Sequence, residues 1–172
     1  NLKDQARVLN PYVDFFYFDV WSSIKEVKCG IKAISEFEKP YLVGIHISEG
    51  TNLPSGENIS DLKNIINDKA LGVMLSCVSP ENFEKNLYEL KSLGVPFGFK
   101  LNGFIKTKIK DGYTSVFLGK TSNPNEFLGK RKDLTPDKIA EIAKKFKEAG
   151  ATILGGCCET SPSHIEAISR IK

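Results

Sequence analysis

Apolar runs and amphipathic stretches alternate along the whole chain. Residues 13–18, 41–47, 71–75, 95–101 and 151–154 are short, nearly continuous apolar runs, the pattern of strands buried on both faces. The stretches between them repeat at helical spacing. Ile24, Val27, Ile31, Ile34 and Phe37 form one stripe, ended by Pro40. Phe83, Leu87, Leu90 and Leu93 form a second, opened by Ser79-Pro80; Ser79 is the cap. Ile139, Ile142, Ala143, Phe146 and Ala149 form a third, opened by Thr135-Pro136 and stopped at Gly150. Residues 2–9 read as the end of a helix, 61–67 as a short helix, and 48–59 as a loop rich in Gly, Pro, Asn and Ser. A last helix starts at Pro162, capped by Ser161 or Thr160.

Strands separated by helices, with no antiparallel meander, give an α/β fold with a parallel sheet. The pattern changes only over residues 104–132. There Ile105, Thr107 and Ile109 alternate with lysines, Asp111-Gly112 supplies a turn, and residues 113–118 run back, which predicts a hairpin followed by a polar excursion. Neither a linker nor an internal repeat divides residues 1–172, so they are read as part of one domain.

Composition narrows the function classes. A hydrophobic fraction of 41% and a charged fraction of 26% are those of a globular protein with a packed core. The net charge of +3 is small and the lysines are dispersed, which argues against a nucleic-acid partner. No apolar run approaches the roughly 18 residues of a membrane span, so no membrane partner is expected. Cysteines are few and two of them are adjacent, so a disulfide framework is not expected and a reducing, cytoplasmic setting is. The start at Asn1, without Met or signal peptide, suggests a fragment.

The candidate chemistry lies at strand ends. Cys77 follows the third apolar run, and the pair Cys157/Cys158 follows the last one through Gly155-Gly156. In a parallel sheet these ends share one face, so the three thiols can meet. Three thiolates suit a zinc ion and leave a fourth position for water or substrate. Against this stands the reading of each as a small core residue. Cys29, mid-helix, is read as packing; His164 is read as structural, and His46, near a strand end, as structural or, alternatively, as a contact to substrate or to a ligand's neighbour. Asp19 follows the first run directly and is assigned either to a substrate ammonium or to capping the next helix.

These residues resemble a known family. The stretch Gly155-Gly156-Cys157-Cys158-Glu159-Thr160-Ser161-Pro162-Ser163-His164-Ile165 is similar to the GGCCGT-x-P-x-H-I signature of the homocysteine S-methyltransferases. Residues 14–27 resemble D-x-x-x-x-E-T-x-x-S-x-x-E, with Asp19 at the glutamate; residues 39–57 resemble K-P-x-x-x-S-F followed by S-G-E. Residues 71–80 resemble G-x-N-C-x-x-P, and Leu101-Asn102-Gly103 resembles P-N-x-G. Asp19, Leu75, Ser76, Leu101 and Glu159 depart from the pattern.

The resemblance implies a (β/α)8 TIM barrel of which this chain supplies about strands 4 to 8, a full barrel taking ~250 residues. It implies a Zn2+ cofactor on Cys77, Cys157 and Cys158, with Asp19 at the homocysteine amino group. The implied reaction is methyl transfer from a donor to the homocysteine thiol, forming methionine. The family's amino-terminal strands have no counterpart here, so the chain alone is expected to be inactive or weak, and either a missing amino-terminal segment or a homo-oligomer is expected to complete it. Two alternatives stand beside this one. The chain is a non-catalytic zinc-binding half-barrel acting through oligomerisation or a partner, or Cys157/Cys158 is a redox pair in an unrelated barrel.

Overall fold

The computed structural model of the protein describes residues 1–107 and 128–171. Five strands, β1 (Phe16–Trp21), β2 (Tyr41–Ile45), β3 (Ala70–Val78), β4 (Phe97–Leu101) and β5 (Ile153–Gly156), form one sheet in the order β1-β2-β3-β4-β5. Every neighbouring pair is parallel. Sequential order without a reversal is that of a barrel wall; a doubly wound sheet would switch direction midway. Among the described residues β1 and β5 end the sheet and do not pair with each other. Among the described residues the α-helices are α1 (Leu2–Leu9), α2 (Ile24–Ile34), α3 (Pro80–Ser92), α4 (Pro136–Glu148) and α5 (Pro162–Ser169). None is long and apolar enough to cross a membrane.

The helices begin where side chains satisfy their free N–H groups. The hydroxyl of Ser23 accepts from the Glu26 N–H while the Glu26 carboxylate accepts from the Ser23 N–H. Ser79 and Thr135 accept from Asn82 and Lys138 in the same way, each followed by a proline at the first helical position.

Strand alternation then sorts the two faces of the sheet. Phe16, Phe18, Val43, Ile45, Val73, Leu75, Phe97 and Phe99 point to the helices and join one buried cluster with Val27, Phe83, Leu90, Ile139, Ala143 and Phe146. At its centre three aromatic rings meet, with centroids 5.0 Å (Phe83–Phe99), 4.7 Å (Phe83–Phe146) and 5.6 Å (Phe99–Phe146) apart. The other face carries the small or polar Tyr17, Asp19, Gly44, Ser76 and Lys100, together with the buried apolar Leu42 and Met74. Gly44 is required there: a Cβ would lie 2.5 Å from Ser76 Oγ and 2.8 Å from the Tyr17 hydroxyl.

Several boundaries differ from the apolar runs. Pairing with β2 starts at Phe16, while Phe15 is exposed, so β1 begins later than residue 13 and runs on past Asp19. Asp19 is thus a strand residue, and the cap of α2 is Ser23, which removes its capping alternative. β3 continues through Cys77 to Val78, because its bonding with β4 persists beyond Leu75. The short helix expected over 61–67 is a 3-10 helix at Ile59–Asn64. Cys29 is exposed rather than packed, since Ile24, Val27, Gly30 and Ile34 form the buried side of α2. The greater part of the predicted 104–132 hairpin lies outside the described residues; Phe104 and Lys130 form an antiparallel bridge at its base.

The aromatic triad makes a quantitative prediction. Phe83→Ala removes a fully buried ring between β4 and α4. It should cost about 3–5 kcal/mol in urea unfolding, whereas Tyr88→Ala on the exposed side of α3 should change stability by no more than about 0.5 kcal/mol.

Candidate metal centre

The three cysteines singled out in the sequence converge. Cys77 is the penultimate residue of β3, and Cys157 and Cys158 follow directly on β5, so the carboxyl ends of the strands deliver all three to one end of the sheet. Their sulfur atoms lie within 4.8 Å of one another, with Cys77 Sγ 3.7 Å and Cys157 Sγ 3.9 Å from Cys158 Sγ. A tetrahedral ion with metal–sulfur bonds of about 2.3 Å holds its sulfur ligands about 3.8 Å apart. The thiols fit such an ion with little rearrangement. All four cysteines are free of disulfides.

The backbone around them is fixed and strained. Cys77 has φ 57°, and Glu159, just past the pair, has φ 62°. Left-handed conformations of side-chain-bearing residues are costly and persist only where their surroundings impose them. For Cys77 the surroundings are visible. The Asn102 amide donates to the Cys77 carbonyl at 2.6 Å and lies 3.8 Å from its sulfur. The Asn102 N–H donates to the Val78 carbonyl at 2.8 Å, and its buried side-chain oxygen accepts from the Phe104 N–H at 3.3 Å. On the other side the Cys157 N–H donates to the Leu101 carbonyl at 2.7 Å, and the Gly103 N–H donates to the Cys158 carbonyl at 2.9 Å. Leu101-Asn102-Gly103 therefore clasps both halves of the cluster. Gly156 permits the tight turn into the pair, since a Cβ there would sit 2.5 Å from Thr160 Oγ1.

The thiols are electrostatically coupled. Hydrogen bonding with Cys157, burial and neighbouring negative charge push the Cys77 thiol up. The Cys77 hydrogen bond pulls Cys157 down against burial, assisted by the Cys158 backbone and the Lys100 charge. Burial and the Cys157 charge raise Cys158. Three adjacent thiols cannot all ionise unaided, because each thiolate opposes the next; a cation among them reverses that sign.

Asp19 stands on the inner face beside this cluster, but it is not alone. Lys100 Nζ lies 2.6 Å from Asp19 Oδ2 and 5.4 Å above the Tyr17 ring. The Tyr17 hydroxyl is 2.7 Å from Ser76 Oγ. Burial disfavours the Asp19 carboxylate, but hydrogen bonds from Lys100, Tyr17 and Ser76 outweigh it and hold the group below the usual carboxylate range. Burial pushes the Tyr17 phenol well up, so it stays a donor. Lys100 and Tyr17 were not singled out in the sequence. The signal was there for Lys100, the one charge in the strand Phe97–Leu101.

Both histidine rings are bonded by neighbours on both nitrogens, and His46 reaches the residue that precedes Cys77. His46 Nδ1 donates to the Ser76 carbonyl at 3.1 Å, and its Nε2 accepts from Ser48 at 3.0 Å. His164 Nδ1 accepts from the Ser161 N–H at 3.0 Å while Nε2 donates to the Leu134 carbonyl at 3.0 Å. Glu159 reaches outward to Lys130 at 3.5 Å.

Comparison with known proteins places this geometry. The family model of homocysteine S-methyltransferases matches residues 2–171. Homocysteine S-methyltransferase 1 of Zea mays is 32% identical over 130 residues, covering 72% of this chain and 35% of that protein. Homocysteine S-methyltransferase 1 of Saccharomyces cerevisiae is 26% identical over 173 residues, covering 93% of this chain and 48% of its own length. The chain thus spans between about a third and a half of the curated relatives it matches. The apo crystal structure of the homocysteine methyltransferase MmuM from Escherichia coli superposes with a TM-score of 0.70 at 16% identity, over 99% of this chain and 57% of that one. The five strands and their helices are accordingly a consecutive part of a (β/α)8 barrel. By the family match over nearly its whole length, the chain belongs to the homocysteine S-methyltransferase family.

Proposed function

We propose that the protein to which this chain belongs transfers a methyl group to the thiol of homocysteine, forming methionine, and that Cys77, Cys157 and Cys158 hold the zinc ion this requires. The observation that carries the reading is the convergence of three thiols from two strand ends, at separations that suit one tetrahedral ion. Bound zinc would supply the positive charge that keeps thiols ionised near neutral pH.

The chain's own residues do the positioning. Asn102 orients Cys77, and the Leu101 carbonyl and Gly103 N–H anchor Cys157 and Cys158. Asp19, ionised and on the inner face, offers a carboxylate to the substrate ammonium. In the reaction the donor–methyl bond breaks as the sulfur–methyl bond forms, and the former thiol proton leaves to solvent. Donor choice falls to the loops at the mouth. Free thiols as the working state call for a reducing compartment, consistent with a cytoplasmic location.

A second reading is a zinc-binding half-barrel that works with a partner or a second copy. Among the described residues the sheet ends at β1 and β5 without their pairing, which favours it. The two readings separate on substrate chemistry. Methionine formed from L-homocysteine and any of a panel of sulfonium, quaternary-ammonium or methylfolate donors supports the first; zinc without homocysteine binding or turnover supports the second.

Metal content tests what the readings share. The purified chain should carry one zinc, measured by mass spectrometry of the metal, and Cys77→Ser should lose it. Loss of metal with retained circular dichroism is expected, since the helix-facing core does not include the thiols. Asn102→Ala leaves all three thiols in place yet frees Cys77. It should weaken zinc about ten- to hundredfold in competition with a chromogenic chelator, as loss of a ligand-orienting partner does.

A further inference from the structure

Resting on the reading above, in which Asp19 meets the α-ammonium of the substrate, we infer that Lys100 takes the substrate's α-carboxylate, so that the ion pair recognises the amino-acid head. Lys100 lies on β4, opposite Ser76 on one side and Gly155 on the other. Ser76 directly precedes Cys77, and Gly155 lies two residues before Cys157. At about 3.3 Å per residue along a strand, the Lys100 row sits roughly 7 Å below that of Cys157.

Three features mark the pair as a binding site rather than a surface bridge. First, it is aimed inward: Lys100 shows only 22% of its side chain to solvent, and its ammonium lies over the Tyr17 ring. Second, its surroundings are cleared of bulk. Gly155 on β5 pairs with Lys100, and a Cβ there would already touch the Lys100 stem at 3.5 Å, while Gly44 leaves room for the Tyr17 hydroxyl and Ser76 Oγ that border the pair. Third, the pair is held by neighbours, because Tyr17 and Ser76 bond to each other at 2.7 Å and to the Asp19 carboxylate. A cation and an anion 2.6 Å apart present a dipole. The zwitterionic head of an amino acid, with its two charges on atoms joined through one carbon, is the matching dipole reversed. It docks antiparallel against the pair, each charge meeting its opposite, and neither protein group is left unpaired before binding. A lone carboxylate would select any amine. The pair selects free α-amino acids over amines and over thiols with only a carboxylate.

Replacing the metal with cobalt(II) gives a readout independent of turnover, since a thiol joining the ion perturbs its thiolate charge-transfer absorption. Titration of the cobalt-loaded chain should show L-homocysteine binding at least tenfold tighter than 3-aminopropane-1-thiol, which lacks the carboxylate, and than 4-sulfanylbutanoate, which lacks the amine. Lys100→Met should weaken homocysteine about ten- to hundredfold, the loss expected for a charge-assisted hydrogen bond, and leave 3-aminopropane-1-thiol unchanged. Lys100→Arg should restore much of the homocysteine affinity. Equal binding of the three thiols by the unaltered chain overturns the inference while the metal reading stands, and this comparison needs no variant to fold. Tighter homocysteine binding by Lys100→Met overturns it too, because Lys100 would then compete with the substrate ammonium for Asp19. If no thiol perturbs the cobalt spectrum, the reading of the centre as a homocysteine site falls, and this inference with it.

Discussion

Parallel pairing of β3 with β4 and of β4 with β5 is the constraint on which the rest of the molecule depends. β4 contributes no thiol, yet it sets where the thiols meet. Its register places Lys100 level with Ser76 and Gly155, and its last residues bond to both flanking segments. Asn102 takes the Cys77 side, and Leu101 and Gly103 take the Cys157/Cys158 side. A one-residue slip in either pairing would turn the inner side chains outward and part the sulfur atoms. The fully buried Phe99, locked between Phe83 and Phe146, is what resists such a slip.

The two faces of the sheet divide the labour. The helix-facing side is a close-packed apolar cluster and supplies the stability. The inner side carries a phenol, a carboxylate, a hydroxyl and an ammonium, linked in one network, with glycines where bulk would intrude. Charged groups in such a place are costly unless paired, and here they are paired. That cost is the physical reason to regard the network as chemistry rather than packing.

Backbone strain follows the same division. Of the side-chain-bearing residues with positive φ among those described, Cys77 and Glu159 lie at the thiols, Val20 lies near the end of β1, and Glu38 lies past the end of α2. Val20 marks the irregularity in β1 that follows Asp19. Strain stored at the mouth of the barrel segment is sustained by the regular strands beneath it.

Much of this was legible in the residues. Continuous apolar runs, helical stripes and Ser-Pro or Thr-Pro caps specify a parallel α/β fold, because burial on both faces and helix capping are local demands. The Gly-Gly-Cys-Cys stretch and Cys77 named the thiols of the centre, because strand ends of a parallel sheet share one side. Only tertiary structure decided what surrounds them. That Asp19 is a strand residue, that Lys100 is its partner across the sheet, and that Asn102 grips Cys77 all depend on register between strands far apart in sequence. Register is fixed by the summed packing of the opposite face, which no short stretch of the chain contains.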